Sequence, residues 1–246
     1  MKKQEKIHLR ELLQYLLFFF AFLPMPRAEA HSFPPPSIQK KILSSHPGDY
    51  AVLSRGVQKI FLLIRQKSPE ATWVEISEFP SLMQQEKALT EQLSWKKAFQ
   101  QLRSQKRVYL LRISKHSHTI FVLKNAQWTA LQNKDSLPVF VKILQLPLTP
   151  APLHLIKYKG KERTPWYPKT SLNGESVIIP SSAWVSVWPE DSFLLSGKHI
   201  LMYFSNDESL PFPLWTSIDT PKGAIIFKTI EIGHQATSPH PTLPDF

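Results

Sequence analysis

The chain has 246 residues, with 30 Lys and Arg against 19 Asp and Glu, a formal net charge of +11, 22 prolines and no cysteine. The missing cysteine excludes disulfides, thiol catalysis, Cys-based zinc sites and a lipid-modified cysteine, so the fold must rest on burial and hydrogen bonds. The basic balance points to an anionic partner: a lipid headgroup, a glycan or an acidic protein surface.

The first thirty residues read as a signal peptide. Lys2, Lys3, Lys6 and Arg10 stand against Glu5, and Leu12 to Leu23 follows as LLQYLLFFFAFL, polar only at Gln14. Pro24 and Pro26 break the run, and Ala28-Glu29-Ala30 supplies a small-x-small cleavage pattern. As a helix the apolar run rises roughly 18 Å, short of the ~30 Å a hydrocarbon core requires. The expectation is export with cleavage after Ala30, to the periplasm or as a secreted protein. No transmembrane segment then remains, peripheral membrane contact stays open, and nucleic acid is excluded as a partner. Residues 1–30 hold five of the 30 basic and three of the 19 acidic side chains, leaving 25 against 16, a net of +9, on the body.

Residues 31–48 read as a Pro-rich linker, with Pro34-Pro35-Pro36 favouring extended geometry and Ser44 to Gly48 supplying turn chemistry. From Asp49 the pattern becomes strand-like. Tyr50–Leu53 and Val57–Arg65 flank Ser54-Arg55-Gly56, and Thr72–Ile76 alternates around Glu75. Ser81–Arg107 is expected to be one long amphipathic helix, capped by Ser81 with Gln84 three residues on. Ala88, Trp95, Phe99 and Leu102 would share its apolar face. Val108–Ile113, Thr119–Leu123, Gln127–Leu131 and Val139–Leu146 follow as strands, and Pro147, Pro150 and Pro152 mark an internal boundary. Further strands are expected at Leu153–Lys159, Ser176–Ile179, Ala183–Val187, His199–Phe204, Leu214–Ile218 and Ala224–Ile232. The tail 234–246, with Pro239, Pro241 and Pro244, reads as disordered. The organisation is thus a β-rich subdomain over 49–146 containing the helix 81–107, and a second β-rich subdomain over 147–233.

Catalytic motifs are missing. There is no G-x-S-x-G elbow, H-E-x-x-H helix, P-loop or G-x-G-x-x-G, and no catalytic, cofactor or metal site is assigned. His116 and His118 alternate as metal ligands on a strand would, but zinc needs a third and fourth ligand. The segment Lys157-Tyr158-Lys159-Gly160-Lys161-Glu162-Arg163, followed by Trp166 and Tyr167, is more specific. If the strand ran through Gly160, Lys157, Lys159, Lys161 and Arg163 would line one face with aromatic surface beside them, a pattern suited to an anionic partner. A hairpin turned at Gly160 is the alternative. Trp184 and Trp188, four residues apart, share a strand face and serve either the core or a ligand-stacking wall.

The run SVIIPSSAWVSVWPEDSFLLSGKHILMYFS, with LPFPLWTSIDTPKGAIIFKTIEIG after it, resembles exported proteins of unknown function from chlamydia-type intracellular bacteria. The resemblance covers the C-terminal third and implies a compartment but no activity. The expected fold is α+β, mainly antiparallel β as a sandwich or partly closed barrel, crossed by one long helix. The expected function is a non-catalytic envelope or secreted binding protein whose basic, aromatic surface engages an anionic partner. Two alternatives stand: an envelope hydrolase acting on cell-wall glycan with carboxylates assembled by the fold, and a structural subunit of an envelope or secretion complex.

Overall fold

A computed structural model describes residues 38–102, 107–114, 117–131, 143, 146–161, 164–190 and 195–244. The signal-peptide segment, Arg163, and all of the expected strand Val139–Leu146 except Ile143 and Leu146 lie outside them.

Helix α1 (Ile38–Ser44) comes first, and Ile38 and Ile42 on it are buried. Part of the stretch expected to be a linker is therefore a core element. An antiparallel meander follows: β1 (Tyr50–Arg55), β2 (Gln58–Lys67), β3 (Ala71–Phe79), β4 (Arg107–Ser114), β5 (His118–Lys124) and β6 (Gln127–Ala130). Between β3 and β4 lie α2 (Gln84–Gln92) and α3 (Trp95–Ala98). The second half supplies β7 (Thr149–Pro150), β8 (Tyr158–Lys159), β9 (Thr164–Pro165), β10 (Lys169–Leu172), β11 (Glu175–Ile178), β12 (Ser181–Val187), β13 (His199–Ser205), β14 (Trp215–Ile218) and β15 (Ile225–Gly233).

One sheet holds thirteen of these strands, in the order β6-β5-β4-β3-β2-β1-β15-β14-β13-β12-β7, with the β10–β11 hairpin joined to β15 by a short parallel contact. It is open, with β6 and β7 at its ends, and is not a closed barrel. The long strand β15 is the joint. Its last residues pair with β1, from Tyr50 opposite Gly233 to Ser54 opposite Lys228, and its first residues pair with β14. A bulge at Val52/Leu53 interrupts the β1–β15 ladder.

Side-chain alternation sends one face of this sheet into a single interior. Ala51, Leu53, Leu62, Ile64, Val74, Ile76 and Leu111 from the first half meet Trp184, Trp188, Ile200, Met202, Phe204 and Ile218 from the second in one apolar cluster, and α1 adds Ile38 and Ile42. The outer face of β1–β3 is buried as well. Tyr50, Val52, Phe61, Leu63 and Phe79 pack against Leu82, Trp95, Phe99 and Leu102 from the helical segment. Phe61 and Phe99 stack at 3.9 Å between centroids, and Phe79 meets Trp95 and Phe99 edge-on. Such doubly covered strands lose the in–out alternation of a half-exposed sheet, and β3 accordingly reads buried at Ala71 through Ser77 and again at Phe79.

The single helix expected over 81–107 is replaced by two short ones. Leu93 (φ −116°, ψ 153°) and Ser94 (φ −59°, ψ 152°) are extended, and the backbone carbonyl of Ser94 accepts the N–H groups of Lys97 and Ala98 to start α3. Serine favours such a start over a helix interior, and the break seats Trp95 and Phe99 on the sheet. Helix α2 begins after Met83, whose N–H donates to Glu86 at 3.1 Å, rather than at Ser81.

The tail is corrected too. Residues 234–244, expected to be disordered, form an extended strap with Ala236 in the cluster under α3 and Leu243 packed against the cluster of Trp73, Leu110 and Phe121. Its prolines forbid a full ladder but not docking in extended form. Gly48 enables this approach: at φ +92° its carbonyl accepts the Ala236 N–H, and a Cβ there would stand 3.0 Å from the Gln235 backbone.

Candidate anion-binding face

The basic and aromatic residues singled out by sequence divide into two groups. Trp184 and Trp188 do share a face, but it is the inner one: Trp184 is 7% exposed and Trp188 0%. Their rings belong to the common interior and present no wall to a ligand. Of the two roles open to them, core and ligand-stacking wall, they take the first.

The other group is brought together. The hairpin β8–β9 pairs Tyr158 with Pro165 and Lys159 with Thr164, and it turns at Gly160 in the left-handed region, φ +71°. The turn ends the alternate spacing. Lys157 and Lys159 precede it, Lys161 lies within it, and no continuous strand carries the cations along one face. Tyr167, beside Trp166, is half-buried.

Lys157 is held by three rings, two of which sequence reasoning did not select. Its N–H donates to the Tyr203 hydroxyl at 2.8 Å, and its ammonium sits 3.7 Å from the Trp215 ring centroid and 5.2 Å from that of Trp166. The rings meet pairwise edge to face: Trp166–Tyr203 at 5.2 Å, Trp166–Trp215 at 5.9 Å and Tyr203–Trp215 at 5.7 Å, with interplanar angles of 89°, 78° and 81°. Edge-to-face pairs are worth about 0.5–1.5 kcal/mol each beyond their burial, so the box keeps its shape and the ammonium keeps its place.

Strand register assembles the box. Tyr203 lies opposite Trp215 on β13–β14, Trp215 opposite Lys228 on β14–β15, Lys228 opposite Ser54 on β15–β1, and Ser54 opposite Lys59 on β1–β2. A row of outward side chains therefore runs Tyr203, Trp215, Lys228, Ser54, Lys59. Lys59 donates to the Ser54 hydroxyl at 2.8 Å and to the Gly56 carbonyl at 2.7 Å. Burial lowers the pKa of Lys157, and the positive charge of Lys228 lowers it further. Burial lowers that of Lys59. Lys157 and Lys228 are both exposed, and among the described residues neither forms an ion pair. The Tyr203 hydroxyl is pushed up by burial, against the opposing pull of the Lys157 N–H.

A second polar cluster lies under the strap. Glu75 is fully buried on the outer face of β3. It stands 3.2 Å from the Arg65 guanidinium and accepts hydrogen bonds from Ser238 (2.6 Å) and Ser77 (3.3 Å), with His240 Nδ1 at 2.8 Å. Arg65 also donates to the carbonyl of Pro241 at 2.9 Å. The Ser–His–Glu combination is not a catalytic relay. Ser238 and Glu75 both address the same nitrogen of His240, at 3.3 and 2.8 Å, whereas a nucleophile and its orienting acid engage opposite nitrogens. Asp49 repeats the arrangement at the start of the strap, taking the His46 N–H at 2.7 Å and pairing with His234 Nδ1 at 2.7 Å. Tyr50 donates to the buried Glu231 at 2.7 Å, and burial followed by that carboxylate pushes the Tyr50 hydroxyl well up.

His118 begins β5, and burial lowers its pKa, while His116 lies outside the described residues. Among the described residues no group of three metal-ligating side chains comes together. No described helix is long and apolar enough to cross a membrane.

Known proteins bear on this arrangement. The family model of the CT021 protein matches residues 60–178. The chain is also similar to the hypothetical protein CT021 from Chlamydia trachomatis, solved at 2.0 Å resolution. The two are 64% identical over 87% of this chain and 100% of that one, with a TM-score of 0.74. No curated protein matches. The likeness to chlamydial proteins of unknown function first visible in the C-terminal third thus extends over most of the molecule, and the chain belongs to the CT021 family.

Proposed function

We propose that this protein is an exported, non-catalytic binding protein that takes an anionic partner on the outer face of β12–β15. The observation that carries the reading is the pair of exposed ammonium groups, Lys157 and Lys228, placed beside the Trp215 ring and acting on each other, with no ion pair to an acid among the described residues. Like charges held together raise the free energy of the empty face, and an incoming anion relieves that cost. The three rings fix Lys157 before the partner arrives, so less side-chain freedom is lost on binding. Lys159 and Lys161 on the exposed hairpin widen the field. Export rests on the basic, apolar and small-residue segments of residues 1–30.

Two measurements test this. Retention on immobilised heparin, a soluble-type polyanion, should fall with rising salt, and the Lys157→Gln/Lys228→Gln variant should elute at distinctly lower salt. Co-elution of variant and parent would remove the proposed face. Mass spectrometry of fractionated cells should find the mature N-terminus at His31, whereas a cytoplasmic product that keeps Met1 would overturn export.

A further inference from the structure

Exposed aliphatic side chains stand near Lys157 and Lys228, alongside the hydroxyls of Ser54 and Tyr203. Leu153 is 73% exposed and Leu155 39%, both in the turn that runs directly into Lys157. Ile226 is 37% exposed and stands two residues before Lys228 on the same outer face of β15. Register continues this row outward through Ser217 and Leu201 to Val185, next to the row that carries Lys228, Trp215 and Tyr203. Val187, at the end of β12, is 49% exposed. Exposed aliphatics scattered singly mean little. Here Leu155 and Ile226 each stand two residues from an exposed lysine, and the tryptophan box lies between those lysines.

A soluble glycan gains nothing from exposed methyl groups, and this face presents them beside its cations. An anionic bilayer asks for what is present: ammonium groups for headgroup phosphates, an indole for the interface, and short aliphatics for the outermost acyl region. We infer that the outer face of the second half docks on the surface of an anionic phospholipid bilayer, with Leu153 and Leu155 entering the headgroup boundary and Lys157, Lys159 and Lys228 on the phosphates. This rests on the anion-binding reading of the same face and names its partner. The outer side of β1–β3 offers no equivalent among the described residues, because α2, α3 and the strap already cover it.

The test is flotation of the protein with vesicles of phosphatidylcholine alone and of phosphatidylcholine mixed with phosphatidylglycerol, run beside heparin retention. The protein should float with the mixed vesicles, stay behind with the neutral ones, and be released by salt. Affinity for the mixed vesicles should drop about fivefold for each of Lys157 and Lys228 changed to Gln. Leu153→Ser/Leu155→Ser should lose flotation while keeping heparin retention and the parent's unfolding midpoint. Should heparin be held through the two lysines but no vesicles float, or should the leucine variant float like the parent, the partner is a soluble polyanion and the bilayer inference is overturned. Loss of both interactions would take the anion-binding reading with it.

Discussion

Strands β3 and β12 belong to one sheet and contribute to one interior, yet they are solvated differently. Eight of the nine residues of β3 are buried, Glu75 included, whereas β12 buries only Trp184 and Ser186, with Ser182 and Val187 exposed. The difference is what lies on the outer face. Over β1–β3 the helical segment and the strap form a second layer. Over β12–β14 and the start of β15 the turn and hairpin around Lys157 approach, and they cover Tyr203 and Trp215 while leaving Lys228 and Ile226 in solvent. Strands β1–β3 are therefore scaffold on both sides, whereas β12–β14 and the start of β15 are scaffold within and surface without.

The largest effect should come from breaking the covered side. Glu75→Ala leaves the Arg65 side chain, only 12% exposed, without its carboxylate, and breaking a buried pair in this way costs up to about 3–5 kcal/mol. Urea unfolding should show that loss, and one below about 1 kcal/mol would mean that the strap and Glu75 do not hold one another. Cutting the chain after Gly233 asks the same question from the other side. It removes Ser238 and His240, two of the hydrogen-bonding partners of Glu75, and should cost about 1–3 kcal/mol for groups left unsatisfied. Hydrogen exchange should rise in β2–β4 while β12–β14 keep their protection. A uniform rise across the sheet would erase the distinction between the halves.

The physics of these regions also explains what could be read in the sequence. Strand positions were legible because β-branched and aromatic runs are punctuated by Gly, Pro and Asn, and β1–β5 and β12–β15 fall close to their expected bounds. The helix was overextended because the apolar spacing of Ala88, Trp95, Phe99 and Leu102 continues across Leu93–Ser94. Ser94 ahead of Trp95 was the local signal for a restart. The strap was missed for a different reason. Its partners are Asp49, Glu75 and Arg65, more than 150 positions away in sequence, and proline-rich polar segments carry no periodicity that announces docking. Glu75 left a trace as a lone acid inside TWVEI. The proposed anion-binding face was half legible: Lys157 and Trp166 cluster locally, while Tyr203, Trp215 and Lys228 join them only through the register of two strand pairs.

On the open side stability and binding should separate. Lys157→Gln removes an exposed charge from the aromatic box, and surface changes of this type usually stay within about 0.5 kcal/mol. The unfolding midpoint should hardly move while heparin retention weakens. A large loss of stability would place the Lys157 ammonium among the scaffold contacts and make the two faces alike.

The smallest effect, and the most local, is the titration of Lys157 itself. Burial against the rings lowers its pKa and the charge of Lys228 lowers it further, so it should release its proton below the ordinary lysine range. The sign for stability follows from linkage. A lysine whose folded pKa lies under its unfolded value is disfavoured when charged, so the folded state gains as pH rises through the folded pKa, and the gain is complete once the unfolded lysine also deprotonates. Side-chain NMR of Lys157 reads this directly. Trp166→Ala, which opens the box to water, should raise the pKa, and Lys228→Gln should raise it by less, because burial is the larger cause. Adding an anion should also raise it, since a bound negative charge favours the ammonium form. If Lys228→Gln and added anion both leave the titration unchanged, the two lysines do not share a field, and the argument that this face awaits an anion loses its electrostatic ground.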